Sequence, residues 1–279
     1  MCIRDRVYAI ALRNFLYTTF SRPTELLTRD VLSRLGTLAL LLTRSLDGLV
    51  AARFQDYRLR QILTYPAVFL STEPKAAPAL YSLMSHTDLV EGVRYPQGGF
   101  AAVVAAIARQ ASDATFRLGT AVTAINCAHG RATGVTLDDG HIIPADAVIS
   151  AADLHHTENA LLPTSARTYP ECYFARRNPG LGTVLAFLGV KGALPELAHH
   201  TLLFSKDWTP DFRAVYHGPE ASRPLGASQS IYVSKTSATD SSVAPDGYEN
   251  LFILVPVPAD ESYGHGDAYG CLLYTSDAA

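Results

Sequence analysis

The apolar residues of this 279-residue chain change their spacing partway along it, and the change indicates the fold class. Between residues 13 and 52 they recur every three or four positions, the period of an amphipathic helix, and Pro23 marks a helix start. Further on, short runs typical of strands predominate, with Asp138-Asp139-Gly140 as a hairpin turn. This irregular alternation predicts a mixed α/β (α+β) fold. The predicted strands are 116–118, 121–125, 131–137, 141–143, 147–149, 183–190, 201–204, 230–234 and 251–257.

The two ends of the chain can be encoded by nucleotide sequences that are reverse complements of each other. Residues 1–5 can be encoded by ATG TGT ATA AGA GAC A, and residues 271–276 by TGT CTC TTA TAC ACA T, its reverse complement. We therefore expect residues 1–6 and 270–279 to be adapter-derived tails outside the fold, and the natural ends of the protein to be unknown.

The composition predicts a packed core and disfavours some partners. Hydrophobic residues make up 48% and charged residues 18%, which is ample for a core. A net charge of −3 is unlike the basic face of a nucleic-acid-binding protein, so no nucleic-acid partner is expected. Outside the tails Cys127 and Cys172 remain without CxxC spacing, which favours a reducing compartment. The longest aliphatic patch, residues 38–42, is far short of the ~18 residues of a membrane span.

No self-contained catalytic motif is present in the sequence. HExxH, GxSxG and the P-loop pattern are absent. Gly180-Leu181-Gly182 begins like a dinucleotide fingerprint but precedes a predicted strand, so we interpret it as a turn. The pairs His155-His156 and His199-His200 favour structural or substrate-lining roles over metal binding, because neighbouring strand residues point to opposite faces.

A series of sequence blocks resembles the bacterial-type phytoene desaturase family of FAD-dependent, amine-oxidase-like enzymes. The two most specific blocks are GVRYPQGGF at residues 92–100 and TDSSVAPDG at residues 239–247. One departure is Ala151-Ala152-Asp153, where the family usually has Asn-Ala-Asp. The other blocks are AVTAI at 121–125, GVTLDDG at 134–140, ADAVISAAD at 145–153, HHT at 199–201 and LVPVP at 254–258.

The resemblance implies a partial FAD/NAD(P)-binding, amine-oxidase-like fold with a substrate domain of helices over a mixed sheet. Residues 94–153 would be a remnant of the flavin domain, with 7–93 and 154–269 forming the substrate part. Val122 would lie against the adenine of FAD, and Ser150 and Ala151 near the dinucleotide. The family's glycine-rich phosphate loop is not found, so we expect an internal fragment that does not bind FAD stoichiometrically alone.

The implied reaction is desaturation of a long polyene isoprenoid such as phytoene in carotenoid biosynthesis, with the flavin taking a hydride. Alternatives are a carotenoid isomerase or oxidase, a retinol saturase, or a non-redox prenyl-lipid-binding protein of the same fold. No catalytic base is assigned, no metal is expected, and the oligomeric state is open. The candidates for lining the substrate pocket are Phe69, Tyr81, Phe204 and Tyr232. For each of them, packing in the core is the competing role.

Because such a substrate is nearly insoluble in water, the parent enzyme is expected to be cytoplasmic and peripheral to a membrane surface. The apolar residues 35–42 are the local candidate for membrane contact. A buried helix is the alternative interpretation of that segment.

Overall fold

The computed structural model describes residues 28–177, 180–218 and 226–260, together with Thr19 and Ser21. The side chains of Asp30 and Phe69 are outside this description. The predicted tails and the predicted helix start at Pro23 also lie outside the described residues.

Short helices dominate the first third of the described chain, and strands dominate the rest. The α-helices are α1 (Arg29–Leu32), α2 (Leu35–Thr43), α3 (Leu46–Ala51), α4 (Tyr57–Thr64), α5 (Ser82–His86), α6 (Gly99–Gln110), α7 (Leu154–His156), α8 (Glu171–Phe174) and α9 (Trp208–His217). The strands are β1 (Val122–Ala128), β2 (Arg131–Leu137), β3 (Ile142–Pro144), β4 (Leu181–Lys191), β5 (His200–Leu203), β6 (Ile231–Lys235) and β7 (Tyr248–Pro258). Single turns of 3₁₀-helix lie at Tyr65–Leu70, Ala79–Tyr81, Thr164–Ala166, Thr236–Ala238 and Ser241–Val243, and π-turns at Thr87–Glu91 and Thr157–Leu161. None of the described helices is both long and apolar enough to cross a membrane.

The chain divides into two compact units. Unit 1 contains residues up to 103 and from 180 onward, and unit 2 contains residues 104–179. These are units of packing, and compactness does not assign a function. The predicted functional domains, 7–93, 94–153 and 154–269, therefore stay a prediction.

Unit 1 is built on a four-stranded sheet with the order β4-β7-β6-β5. Every described pair in it is antiparallel, so the mixed sheet predicted for the substrate domain is not found in the described residues. The reason is local: β6 runs into β7 through two short 3₁₀ turns and returns beside it. One face of the sheet is a core of Val184, Val255 and Val257. Helix α9 packs against β4 and β7.

The helices of unit 1 have a second core around Leu46, which is 0% exposed. Leu46 packs with Val50, Ala67 and Ala77. The backbone fixes this cluster as well, since the N–H of Leu46 donates to the carbonyl of Ala77 at 2.8 Å. Ser45 caps α3 by accepting from the N–H of Gly48.

Unit 2 contains the three-stranded antiparallel sheet β1-β2-β3. The predicted hairpin turn is confirmed: Gly140 has a φ of +81°, and β2 pairs with β3 beyond it. Gly134 on β2 approaches β3 so closely that an added Cβ would lie 2.3 Å from the carbonyl oxygen of Ile143. A glycine is therefore required at that position.

Two predicted strands of unit 2 are wrong. Residues 116–118 and 147–149 have no strand structure, and Leu118 and Ile149 are 88% and 94% exposed. A strand needs a neighbour for its N–H and carbonyl groups, and no described strand pairs with either segment. The apolar residues alone could not reveal that missing neighbour.

Candidate functional site

The two most specific blocks meet at one buried carboxylate, Asp240, which is 1% exposed. Its Oδ2 accepts the N–H of Gly98 at 3.0 Å and the hydroxyl of Tyr95 at 3.2 Å. Its Oδ1 accepts the N–H and the hydroxyl of Ser242 at 3.0 and 2.6 Å. The hydrogen bonds from Ser242, and next that from Gly98, hold the pKa of Asp240 below its usual value although burial opposes them. Asp240 thus caps a local turn and also joins that turn to residues 95–98.

A row of rings leads from this junction towards the sheet. The ring of Tyr95 lies 4.8 Å from that of His199, which lies 4.4 Å from that of His200. His200 Nδ1 is 2.6 Å from the hydroxyl oxygen of Tyr232 on β6. Desolvation, followed by the charge of His199, lowers the pKa of His200, and Asp88 opposes this shift. Desolvation and the nearby charge of Asp240 raise the pKa of Tyr95. The row therefore connects the Asp240 junction to Tyr232.

Tyr232 lines a cavity of about 340 Å³ between the sheet and α9 in unit 1. Leu202, Leu254 and Tyr232 come from one cross-strand row of the sheet, since Tyr232 pairs with both leucines. Tyr65 and Val68 of the first 3₁₀-helix also line the cavity. Most of the lining is aliphatic or aromatic, as in pockets that bind apolar small molecules.

Helix α9 supplies the aromatic wall of this cavity. Trp208, Asp211, Phe212 and Val215 all line it, at the i, i+3, i+4, i+7 spacing that places residues on one side of a helix. The ring of Trp208 lies 4.9 Å from that of Phe204 and 5.7 Å from that of Phe212, both nearly perpendicular to it. Asp207 caps the helix by accepting from the N–H of Thr209. The wall is therefore a packed set of rings on a capped helix.

The same wall also carries polar groups. Asp211 is buried, and its Oδ2 accepts the hydroxyls of Ser205 at 2.5 Å and Ser230 at 2.9 Å. Its Oδ1 lies 3.3 Å from the backbone nitrogen of Gln229, which donates to it. The indole nitrogen of Trp208 is buried and has no hydrogen-bond partner within the part of the chain that the structure describes. A second, more polar cavity of about 390 Å³ is also lined by Trp208, together with Asp47, Arg60 and Lys206.

The predicted substrate-lining residues fall in different places. Phe204 and Tyr232 line the apolar cavity, while Tyr81 packs against the helical core around Leu46. The side chain of Phe69 is outside the described residues. A substrate contact by any of the four stays a prediction. Sequence reasoning missed Trp208, Asp211 and Phe212, although their helical spacing in residues 208–215 was a usable signal.

The predicted cofactor residues lie in unit 2. Val122 begins β1 and is partly exposed. Ser150 and Ala151 lie in the exposed segment without strand structure, where the hydroxyl oxygen of Ser150 is 2.7 Å from that of Thr157. Their contacts with a dinucleotide stay a prediction.

A flavin dinucleotide needs a cradle of N–H groups for its pyrophosphate, normally at a helix that follows a strand. Among the described helices of at least eight residues, α4 and α9 already have N-terminal N–H groups bonded to Asp56 and Asp207. The N–H of Gly98, directly before α6, is bonded to Asp240, and α2 follows α1 instead of a strand. The described residues therefore do not fit the pyrophosphate of a flavin.

Neither histidine pair forms a metal site in the structure. His155 is 3.1 Å from a carboxylate oxygen of Glu171, and His199 Nδ1 is 2.5 Å from the hydroxyl oxygen of Thr239. Within the described ranges, no group of three or more His, Cys, Asp or Glu side chains could hold a metal ion.

The chain belongs to the family described as flavin containing amine oxidoreductase, whose pattern it matches over residues 6–256. A carotenoid 3,4-desaturase from Haloarcula japonica is 33% identical over 257 residues, which are 91% of this chain and 50% of that protein. A zeta-carotene-forming phytoene desaturase from Myxococcus xanthus is 36% identical over 211 residues, which are 75% of this chain and 40% of that protein. These matches confirm the resemblance to phytoene desaturases, and the chain spans about half the length of the curated relatives it matches.

The fold is similar to that of a solved oxidoreductase structure. An oxidoreductase from Methanosarcina mazei superposes with a TM-score of 0.54 at 20% identity, over 86% of this chain and 54% of that chain. Together with the family match, this confirms the predicted partial amine-oxidase-like fold. The family match itself confirms a flavin, FAD, as the family's cofactor.

Proposed function

We propose that this chain is the substrate-binding part of an FAD-dependent desaturase that acts on a long polyene isoprenoid such as phytoene in carotenoid biosynthesis. The observation that carries the proposal is the aromatic cavity between α9 and the sheet. The names of the two relatives above, both desaturases of carotenoid compounds, support the choice of reaction.

In this proposal the residues of unit 1 bind and orient an apolar chain and keep water away from it. Phe204, Trp208 and Phe212 offer ring faces and edges to a polyene, and Leu202 and Leu254 form the floor. A cavity of about 340 Å³ is near the lower end of the size of ligand pockets, about 300 Å³ to 1,000 Å³. It therefore suits one end of a long ligand.

Tryptophan fluorescence tests the binding part of this proposal, because Trp208 is the only tryptophan in the sequence and lines the cavity. Titration with phytofluene, a conjugated polyene that absorbs where tryptophan emits, should quench the emission with saturation. Phe204→Ala should weaken binding about 10-fold or more, because burial of a phenylalanine is worth about 1.5–3 kcal/mol.

Phe187→Ala is the matched control, since Phe187 lies on β4 outside the cavity lining and is 74% exposed. Circular dichroism should show that both variants keep the fold. The proposal is wrong if phytofluene does not quench Trp208, or if the two variants weaken binding equally.

A chimera tests the reaction itself. Residues 7–260 would replace the matching region of the Myxococcus xanthus phytoene desaturase, in bacterial cells that accumulate phytoene. We expect coloured carotenoid products and a bound flavin spectrum. A chimera that binds flavin and phytofluene but desaturates nothing would favour the non-redox prenyl-lipid-binding alternative.

We also propose that the complete protein is cytoplasmic and rests on a membrane surface through α2. Leu35, Leu40 and Leu42 of this helix are about half exposed, whereas Leu41 is buried. Leu35 and Leu42, seven positions apart, lie on one side of the helix, and exposed apolar side chains of this kind can enter the boundary between lipid headgroups and acyl chains.

Liposome co-sedimentation tests this contact. Leu35→Glu combined with Leu42→Glu should reduce the bound fraction several-fold, because both charges would enter the interface. Leu118→Glu in unit 2, at a leucine that is 88% exposed, should leave it unchanged. If liposome binding survives the α2 substitutions, the helix is not the anchor.

A further inference from the structure

The polar groups on the aromatic wall indicate which kind of isoprenoid the cavity accepts. We infer that it binds an isoprenoid whose end carries a hydroxyl group, held at Asp211 and Trp208. This inference rests on the proposed function and adds the substrate class to it. A plain hydrocarbon such as phytoene would use only the apolar part of the wall.

The first observation is a buried cluster of acceptors and hydroxyls in an otherwise apolar lining. Asp211, Ser228 and Ser230 all line the cavity. Asp211 Oδ2 accepts the Ser230 hydroxyl at 2.9 Å, and the Ser230 hydroxyl oxygen is itself 3.3 Å from that of Ser205. Such hydroxyls can rotate to accept from a ligand as well as to donate.

The second observation is an unpaired donor beside this cluster. Trp208 precedes Asp211 by three residues, so the two side chains share one side of α9. The indole nitrogen of Trp208 is buried and finds no hydrogen-bond partner among the described residues, which is a costly arrangement for a donor. A ligand oxygen bound beside it would provide the missing acceptor.

Together, these two observations favour a ligand end that carries a hydroxyl group over one that carries an ammonium group or only hydrocarbon. A hydroxyl can donate to Asp211 and at the same time accept from Trp208. An ammonium group can donate to the carboxylate but has no lone pair for the indole N–H. A hydrocarbon end can do neither, so it would leave the indole N–H of Trp208 unpaired.

The experiment compares three matched ligands by quenching of Trp208 fluorescence in the full chain. They are retinol, the hydrocarbon in which hydrogen replaces its hydroxyl, and the corresponding primary amine. We expect retinol to bind at least about 10-fold more tightly than the hydrocarbon, as for a hydrogen bond to a charged group. Asp211→Asn, which keeps the shape of the side chain, should reduce this preference several-fold.

The variants separate recognition of the hydroxyl from damage to the cavity. Ser230→Ala should also reduce the preference, whereas Phe204→Ala should weaken retinol and the hydrocarbon by the same factor. Equal binding of retinol and the hydrocarbon by the unchanged chain would overturn the inference and leave the proposed function intact. Tightest binding of the amine would overturn it in favour of an amine site. If no polyene quenches Trp208 while the chain is folded, both the inference and the proposed function are wrong.

Discussion

The two sheets of this protein differ in how their faces are covered. In unit 1 the residues Val184, Val255 and Val257 of one face are buried, and α9 covers part of the sheet and closes a cavity. In the strands of unit 2 the buried apolar side chains are those of Ile125 and Leu137. Both sheets are antiparallel, although the pairing of β1 with β2 contains two register shifts. The two sheets also contrast in side-chain burial.

This difference shows that a sequence can favour strands without providing a layer that buries one face of the resulting sheet. A sheet needs a second layer against its apolar face, and the described residues supply one for unit 1 more fully than for unit 2. Surfaces with few buried apolar contacts open at lower free energy than packed cores. We therefore expect unit 1 to carry most of the resistance to unfolding, and the following experiments test that contrast.

The largest effect should come from Leu46→Ala in the helical core of unit 1. The side chain is fully buried, and removing it leaves a cavity that costs about 2–5 kcal/mol of unfolding free energy. Urea unfolding followed by circular dichroism and Trp208 fluorescence measures the loss. Leu118→Ala in unit 2, at an exposed leucine, should change stability by less than about 0.5 kcal/mol. Similar losses in the two variants would contradict the contrast.

A pair of glycine substitutions should have the next largest effect and separate the units. An added Cβ at Gly182 would lie 2.6 Å from the carbonyl oxygen of Pro258 in unit 1, and one at Gly134 would meet Ile143 in unit 2. Each alanine variant should lose about 1–3 kcal/mol, as for other overpacked sites.

Trp208 lies in unit 1 and distinguishes the two glycine variants. Gly182→Ala should shift the fluorescence-detected transition to lower urea. Gly134→Ala should leave that transition in place and raise amide hydrogen exchange in β2 and β3. A fluorescence shift in Gly134→Ala as large as that in Gly182→Ala would show that the units unfold together.

A smaller and pH-dependent effect is expected from Asp240→Asn. Because the pKa of Asp240 is lowered in the folded protein, its contribution to stability is present above the unfolded pKa of about 3.9. The contribution is lost as the pH falls below that value through the folded pKa. The asparagine variant should therefore be less stable than the unchanged chain at neutral pH and approach it at low pH. A constant difference across the pH range would show that the charge of Asp240 is not responsible.

The smallest effect should come from Ile149→Ser, in the segment of unit 2 that failed to form a predicted strand. Its side chain is almost fully exposed, so the expected change in unfolding free energy is below about 0.5 kcal/mol. Urea unfolding of the variant beside the unchanged chain measures it. A loss of more than about 1 kcal/mol of unfolding free energy is typical of a buried site. Such a loss in Ile149→Ser would mean that the segment is packed in solution.

The sequence by itself determined the features that depend on near neighbours. Alternation of apolar residues located β4, β6 and β7 within a few positions, and Asp138-Asp139-Gly140 located the hairpin. The turn cap at Asp240 is local as well, because an aspartate side chain readily accepts a hydrogen bond from the backbone N–H two positions further on. The family followed from the order of the blocks along residues 92–258, which the comparison with known proteins confirmed.

Only the tertiary structure decided which of these features meet. The cavity wall combines Tyr65, Phe204, Trp208 and Leu254, and Asp240 reaches Gly98 across 142 positions of sequence. It also decided that residues 116–118 and 147–149 lack a partner strand. The physical reason is that strand period, turn chemistry and caps depend on residues a few positions apart. A cavity, a buried carboxylate with distant donors and a paired strand depend on which faces pack together, and that pairing is not encoded in any single segment.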